Sequence, residues 1–109
     1  MANKKPFTKI NSNGRHLTKV KYDELMEQLN QDGKKSEEFL EIQTTLENES
    51  DFYMLNEYEL ALLTGEKVNA LRDNRRRENH RWYFVKGNQD NKSKVLYPMK
   101  AVRENISAI

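Results

Sequence analysis

The chain contains no cysteine, which excludes disulfides, thiol nucleophiles and cysteine-based zinc sites and suits a reducing compartment. No apolar run approaches the length of a membrane span, and Met-Ala-Asn-Lys-Lys-Pro at the start has no hydrophobic follow-up, so neither membrane insertion nor a signal peptide is expected. No Gly-rich phosphate loop occurs. The two histidines, His16 and His80, stand 64 positions apart with no ligand spacing around either, so no metal site is expected. Hydrophobic residues are sparse, 36% against 33% charged, with a mean hydropathy of −1.02. Over 109 residues such a composition fills one modest core, leaving part of the chain as an extension. A cytoplasmic protein, bacterial or nucleoid-associated, is expected, with no cofactor.

What the chain does carry is charge, unevenly placed. Residues 1–21 hold six Lys/Arg and no acid, residues 22–59 hold twelve acids against Lys34 and Lys35, and residues 60–109 hold eleven Lys/Arg against five acids. The three parts carry +6, −10 and +6 and sum to the net +2. A basic end, an acidic middle and a basic carboxy-terminal half imply surfaces with different jobs, although an acidic stretch is as readily a set of solvated helix faces.

Residues 1–21 read as a basic arm. Asn13-Gly14, flanked by Phe7, Ile10, Leu17 and Val20, offers the alternative of a short hairpin. Residues 22–50 read as an acidic helical hairpin. Tyr22, Leu25, Met26 and Leu29 recur at helical spacing, and Asp32-Gly33 ends that helix. Ser36 is an N-cap followed by Glu37 and Glu38, and Phe39, Ile42 and Leu46, with Leu40 beside them, make a second stripe reaching about Asn48. Two short helices cannot bury both stripes alone, so they need the rest of the chain, a second copy or another protein as cover. Phe39, Ile42 and Leu46 are the expected homodimer seam.

Residues 53–109 follow another pattern. Asn56-Glu57-Tyr58-Glu59 is a capping arrangement that starts a helix through Leu63, and Thr64-Gly65 breaks it. A second helix is expected from Glu66 to about Arg77, burying Val68 and Leu71. Residues 82–85 and 94–97 read as two strands joined by the loop 87–93, and Pro98 opens a last helix with Met99, Val102 and Ile106 inward. Ala61, Gly65 four residues later and Leu71 six beyond that have the spacing of a helix-turn-helix: a small residue for close approach, a glycine for the turn, an apolar lock. The expected fold is mainly α with a small two-stranded antiparallel wing, a winged helix-turn-helix with an N-terminal helical extension.

The stretch from Leu63 to Arg72, then Tyr83-Phe84-Val85-Lys86, then Lys94-Val95-Leu96-Tyr97-Pro98 and the helix holding Val102 resembles the excisionase-like and MerR-like winged helix-turn-helix domains of mobile elements and bacterial regulators. The resemblance covers about residues 53–107. Members usually have Gly-Pro before the first wing strand and a Trp near the end of the last helix, where this chain has Arg81-Trp82 and Asn105-Ile106, and its wing loop reads as longer. The resemblance implies double-stranded DNA binding, with the second helix in the major groove and the wing on the flanking backbone.

The residues lead to the same place on their own. At 100° per residue, Asn69, Ala70, Asp73, Arg76 and Arg77 fall opposite Val68, Leu71 and the stem of Arg75, giving an outer face of types that read base edges. Lys67, Arg72 and Arg75 flank that face where phosphates pass, and Lys86, Lys92 and Lys94 put charge on the wing. Trp82, Tyr83 and Phe84 read as core before they read as a stacking platform. Nothing supports catalysis: the acids have no partner histidine or metal motif. The expectation is a sequence-specific DNA-binding protein of a phage or mobile element, an architectural factor or transcriptional regulator that works as a homodimer or array and engages a recombinase or other protein. The competing expectation is an adaptor whose acidic hairpin binds a protein while the winged domain is a tether.

Overall fold

The computed structural model describes residues 16–89 and 92–107. The chain divides into two compact units, Met1–Asn48 and Glu49–Ile109.

In the first unit, α1 (Lys19–Asp32) and α2 (Glu37–Glu47) form the helical hairpin. Thr18 Oγ1 accepts from the Lys21 N–H at 3.1 Å, and Gly33, at φ 72°, closes α1 by donating its N–H to the Leu29 carbonyl at 2.8 Å. Ser36 Oγ caps α2 by accepting from the Phe39 N–H at 3.1 Å. The first helix begins at Lys19 rather than Tyr22, because Thr18 supplies a cap that apolar spacing does not register. Leu17 and Tyr22, both buried, hold the positions of a hydrophobic staple around that cap. Residues 16–21 therefore belong to the hairpin unit, not to an arm; the Asn13-Gly14 turn and the rest of the arm lie outside the described residues. Lys21 Nζ bonds Glu38 Oε2 at 3.0 Å and ties α1 to α2.

Phe39, Ile42 and Leu46 are at most 3% exposed. The stripe expected as a homodimer seam is thus buried within the single chain.

The second unit runs β1 (Met54–Leu55), α3 (Glu57–Thr64), α4 (Val68–Arg75), β2 (Val85–Gln89), β3 (Lys92–Pro98), α5 (Met99–Ser107). Its sheet is antiparallel with order β1-β3-β2. Five helices and one small sheet make the described chain mainly helical. The third strand is new relative to the sequence reading. It pairs Met54 with Pro98 and Leu55 with Tyr97, and two residues are too few to carry an alternating pattern.

The wing also differs. Gly87, Asn88 and Gln89 pair with Lys94, Ser93 and Lys92, so the two strands take in positions that the sequence reading gave to the loop 87–93. Polar residues extend both strands, because ladder pairing uses backbone groups and not side chains. At the other end β2 starts only at Val85, and buried Trp82 lies ahead of it with its Nε1 donating to Glu66 Oε2 at 3.3 Å.

The core of this unit is Leu55, Leu60, Ala61, Leu62, Leu71, Trp82, Tyr97, Met99 and Val102. The inward stripe of α5 stops at Val102, and Ile106 is 51% exposed, contrary to expectation. The contact made at that end belongs to its neighbour Asn105, which bonds Arg81. The first N–H groups of α5 donate to carbonyls ahead of β1, Met99 to Tyr53 at 2.9 Å and Lys100 to Asp51 at 3.2 Å. No helix among the described residues is long and apolar enough to cross a membrane.

Candidate nucleic-acid interface

The geometry of α3 is set by its cap. Asn56 Oδ1 accepts from the Glu59 N–H at 2.8 Å, Glu59 Oε1 accepts from the Asn56 N–H at 2.8 Å, and Glu59 Oε2 accepts from the Tyr53 hydroxyl at 2.7 Å. Glu59 is wholly buried, and these bonds replace the water that its carboxylate gives up. Burial, then the Glu59 charge, pushes the Tyr53 hydroxyl far above its ordinary pKa.

Nine residues past Asn56, Gly65 takes φ 81° and donates its N–H to the Ala61 carbonyl at 2.8 Å, turning the chain into α4. Ala61, 2% exposed, is buried in α3, and Leu71, 1% exposed, is buried in α4 at the expected spacing.

The face of α4 opposite Leu71 carries exposed Asn69, Ala70 and Asp73, with Lys67 at the N-cap and Arg76 and Arg77 just past the last turn, all exposed. The helix stops at Arg75, two residues short of the expected end, because the apolar stripe ends there and Arg76–Asn79 buries nothing. Asp73 Oδ1 lies 3.7 Å from Arg76 Nη1 across a well-solvated gap.

Arg72 and Arg75, expected beside phosphates, are turned to the protein itself. Arg72 donates from Nε to Glu57 Oε1 at 3.2 Å and from Nη2 to Glu57 Oε2 at 2.7 Å. Arg75, its side chain 18% exposed, donates from Nη1 to Glu57 Oε1 at 3.3 Å and to the Tyr97 hydroxyl at 2.7 Å. One carboxylate at the start of α3 thus braces two arginines of α4, and the second arginine reaches β3. Burial works against ionisation of Glu57, but the bonds and charge of Arg72 and then Arg75 outweigh it, and its pKa lies below the ordinary value. Burial raises the Tyr97 pKa in spite of the opposing Arg75.

A second brace follows α4. The Arg81 N–H donates to Asn74 Oδ1 at 2.8 Å, Arg81 Nη1 donates to Glu66 Oε2 at 3.2 Å, and the guanidinium lies 4.6 Å from the Trp82 ring centroid. Asn105 Nδ2 donates to the Arg81 carbonyl at 2.7 Å, and Arg81 Nε donates to Asn105 Oδ1 at 3.3 Å. The two places where the sequence departs from the winged-helix pattern therefore contact each other.

Between the end of α4 and the wing an open groove is lined by Arg72, Arg75, Arg76, Phe84, Lys86 and Val95. Among the described residues, four of the six are cationic and no acid lines it. Phe84 packs between His80 and Tyr97, with ring centroids 4.8 and 6.4 Å away. Tyr83 is 58% exposed, so the aromatic triplet splits: Trp82 is core, Tyr83 faces solvent and Phe84 lines the groove. Lys92 and Lys94 lie on β3 opposite Gln89 and Gly87. Among the described residues no group of His, Asp or Glu is placed to hold a metal.

The structure therefore brings Asn69, Ala70 and Asp73 to one side of α4 with Arg76 beside Asp73, and Arg72, Arg75, Arg76 and Lys86 to one groove, while Arg77 is exposed past the end of the helix. Glu57, Tyr97, Glu66 and Asn105 escaped the sequence reading. Their partners lie 15 to 24 positions away, beyond any local spacing signal. No family model, curated protein or solved structure matches the chain.

Proposed function

We propose that the chain is a sequence-specific double-stranded DNA-binding protein of a phage or mobile element, acting as an excisionase-like architectural factor or a transcriptional regulator. The observation that carries this reading is the exposed face of α4, with Asn69, Ala70 and Asp73 bordered by Arg76 and Arg77. These types match the donors and acceptors of base edges, and the small Ala70 admits close approach. The helix that presents them is braced through Leu71, Arg72 and Arg75, so the face is held rather than free to turn. The groove beside it, lined by no acid among the described residues, suits a phosphate strand running between α4 and the wing, with Lys86 as a contact. Arg72 and Arg75 enter this reading as braces first, since their guanidiniums are engaged by Glu57.

The test is enrichment of the full chain on a duplex pool with a randomised centre, followed by titration of the enriched duplex, a scrambled duplex and the separated strands. The reading expects a recovered motif and tighter binding to that duplex than to the other two. Equal affinity for all three, or no retention of duplex at low salt, contradicts it.

A further inference from the structure

Asp73 is the one acid on α4, and it stands at the centre of the surface that the helix offers. It lies two positions from buried Leu71, about 160° around the helix from it. Asn69 and Ala70, one turn earlier, are exposed on either side. Its side chain is 67% exposed, and its ion-pair contact among the described residues, to Arg76 Nη1 at 3.7 Å, is too long for a hydrogen bond. Glu57, by comparison, is held by two arginines. A carboxylate in this position is poorly suited to general attraction for DNA. In a major groove it loses water and meets the negative field of two phosphate strands.

We propose, resting on the DNA-binding reading above, that Asp73 is the specificity-determining residue of this surface and takes the exocyclic amino group of cytosine. The major groove presents few donors that a carboxylate can accept from, the cytosine N4 and adenine N6 amino groups, and cytosine N4 is the usual partner of an acidic side chain. Guanine O6 and N7 and thymine O4 are acceptors, and each sets an unpaired lone pair against the carboxylate. Asp73 therefore acts in two directions: it rewards one base and rejects sites that lack an amino group there. Arg76, one turn away at 3.7 Å, tempers the carboxylate charge and is placed to donate to an adjacent guanine. An exposed position carries no packing role, so the effect belongs to recognition and not to folding.

The experiment runs the same pool enrichment on the full-length wild type, Asp73→Ala and Asp73→Asn, with each motif then titrated by single-base replacement. The wild type is expected to favour cytosine at one position by about tenfold or more, the scale of one good base contact. Asp73→Ala should lose that preference alone while binding scrambled duplex more tightly than the wild type. Asp73→Asn should move the preference at that position to adenine, which an amide contacts through N6 and N7. Unchanged motifs in both variants, or uniform weakening on every sequence, would overturn the role of Asp73 while leaving DNA binding intact. A wild-type chain that enriches no duplex would overturn the binding reading and this inference with it.

Discussion

Glu57 and Arg72 meet across the turn of the helix-turn-helix in a two-point pair, Nε to Oε1 at 3.2 Å and Nη2 to Oε2 at 2.7 Å. A planar guanidinium on a planar carboxylate fixes angle as well as distance, and this contact joins the first residue of α3 to the middle of α4. Arg75 adds a third bond to Glu57 and carries the brace to Tyr97. The tilt of the exposed face of α4 is thus set by a carboxylate that itself lies on another helix.

The depressed pKa of Glu57 gives this brace a pH signature. Its folded value lies below the 4.5 of the unfolded carboxyl, so its contribution is complete above pH 4.5 and is lost as pH falls through the folded value. Glu57→Gln should destabilise the protein by about 1–2 kcal/mol at neutral pH, a figure held down by the solvent exposure of Arg72. Urea unfolding of both proteins at neutral and acid pH should show the gap closing at low pH. A gap of the same size at both would contradict the assignment.

Removing the Glu59 carboxylate takes away the acceptor for the Asn56 N–H and the Tyr53 hydroxyl together. Glu59→Ala should cost about 2–3 kcal/mol by urea unfolding, combining a lost cap with a stranded polar group. Glu59→Gln should fall between the variant and the wild type, because one oxygen acceptor remains. A loss of a few tenths for Glu59→Ala would mean that water enters and replaces it.

Gly65 separates backbone strain from crowding. A Cβ built there meets nothing within 4 Å, so Gly65→Ala should be destabilising only through its φ of 81°, by about 1 kcal/mol. Gly33, at φ 72° with equally open surroundings, should respond alike, and a much larger loss at Gly65 in thermal unfolding would contradict an origin in backbone strain alone.

Much of the fold was legible because it is local. The Asn56–Glu59 cap, Ser36, Gly33, Gly65 and the Ala61–Gly65–Leu71 spacing are decided within a few residues, and each appears with the expected geometry. Three kinds of feature were not legible. A two-residue strand such as Met54–Leu55 has no period, and a hairpin extended by Asn88 and Ser93 has no apolar signature. The fate of an apolar stripe is settled by what covers it, so Phe39, Ile42 and Leu46 read equally as seam or as core. At the site, the exposed residues of α4 followed from helix geometry, whereas the commitment of Arg72 and Arg75 depended on a carboxylate 15 and 18 positions earlier.

The wing should behave as a phosphate contact. Each neutralised phosphate contributes about −0.9 to the slope of log K against log salt. Replacing Lys92 and Lys94 by Ala should flatten that slope by up to about two units and weaken all sequences alike, and Lys86→Ala should add up to one more. Titrations at several salt concentrations check this, and an altered base preference would mean that the wing reads sequence.

The most direct test of the central claim compares the enriched and scrambled duplexes, titrated with the wild type, Arg76→Ala and Arg77→Ala at one salt concentration. Both arginines are exposed just past the last turn of α4, and a bidentate base contact is worth about 1–3 kcal/mol of discrimination. The ratio of the two affinities should therefore fall in each variant, with binding to the scrambled duplex reduced far less. Equal losses on both duplexes would place the arginines on phosphate alone and contradict base reading by this end of α4.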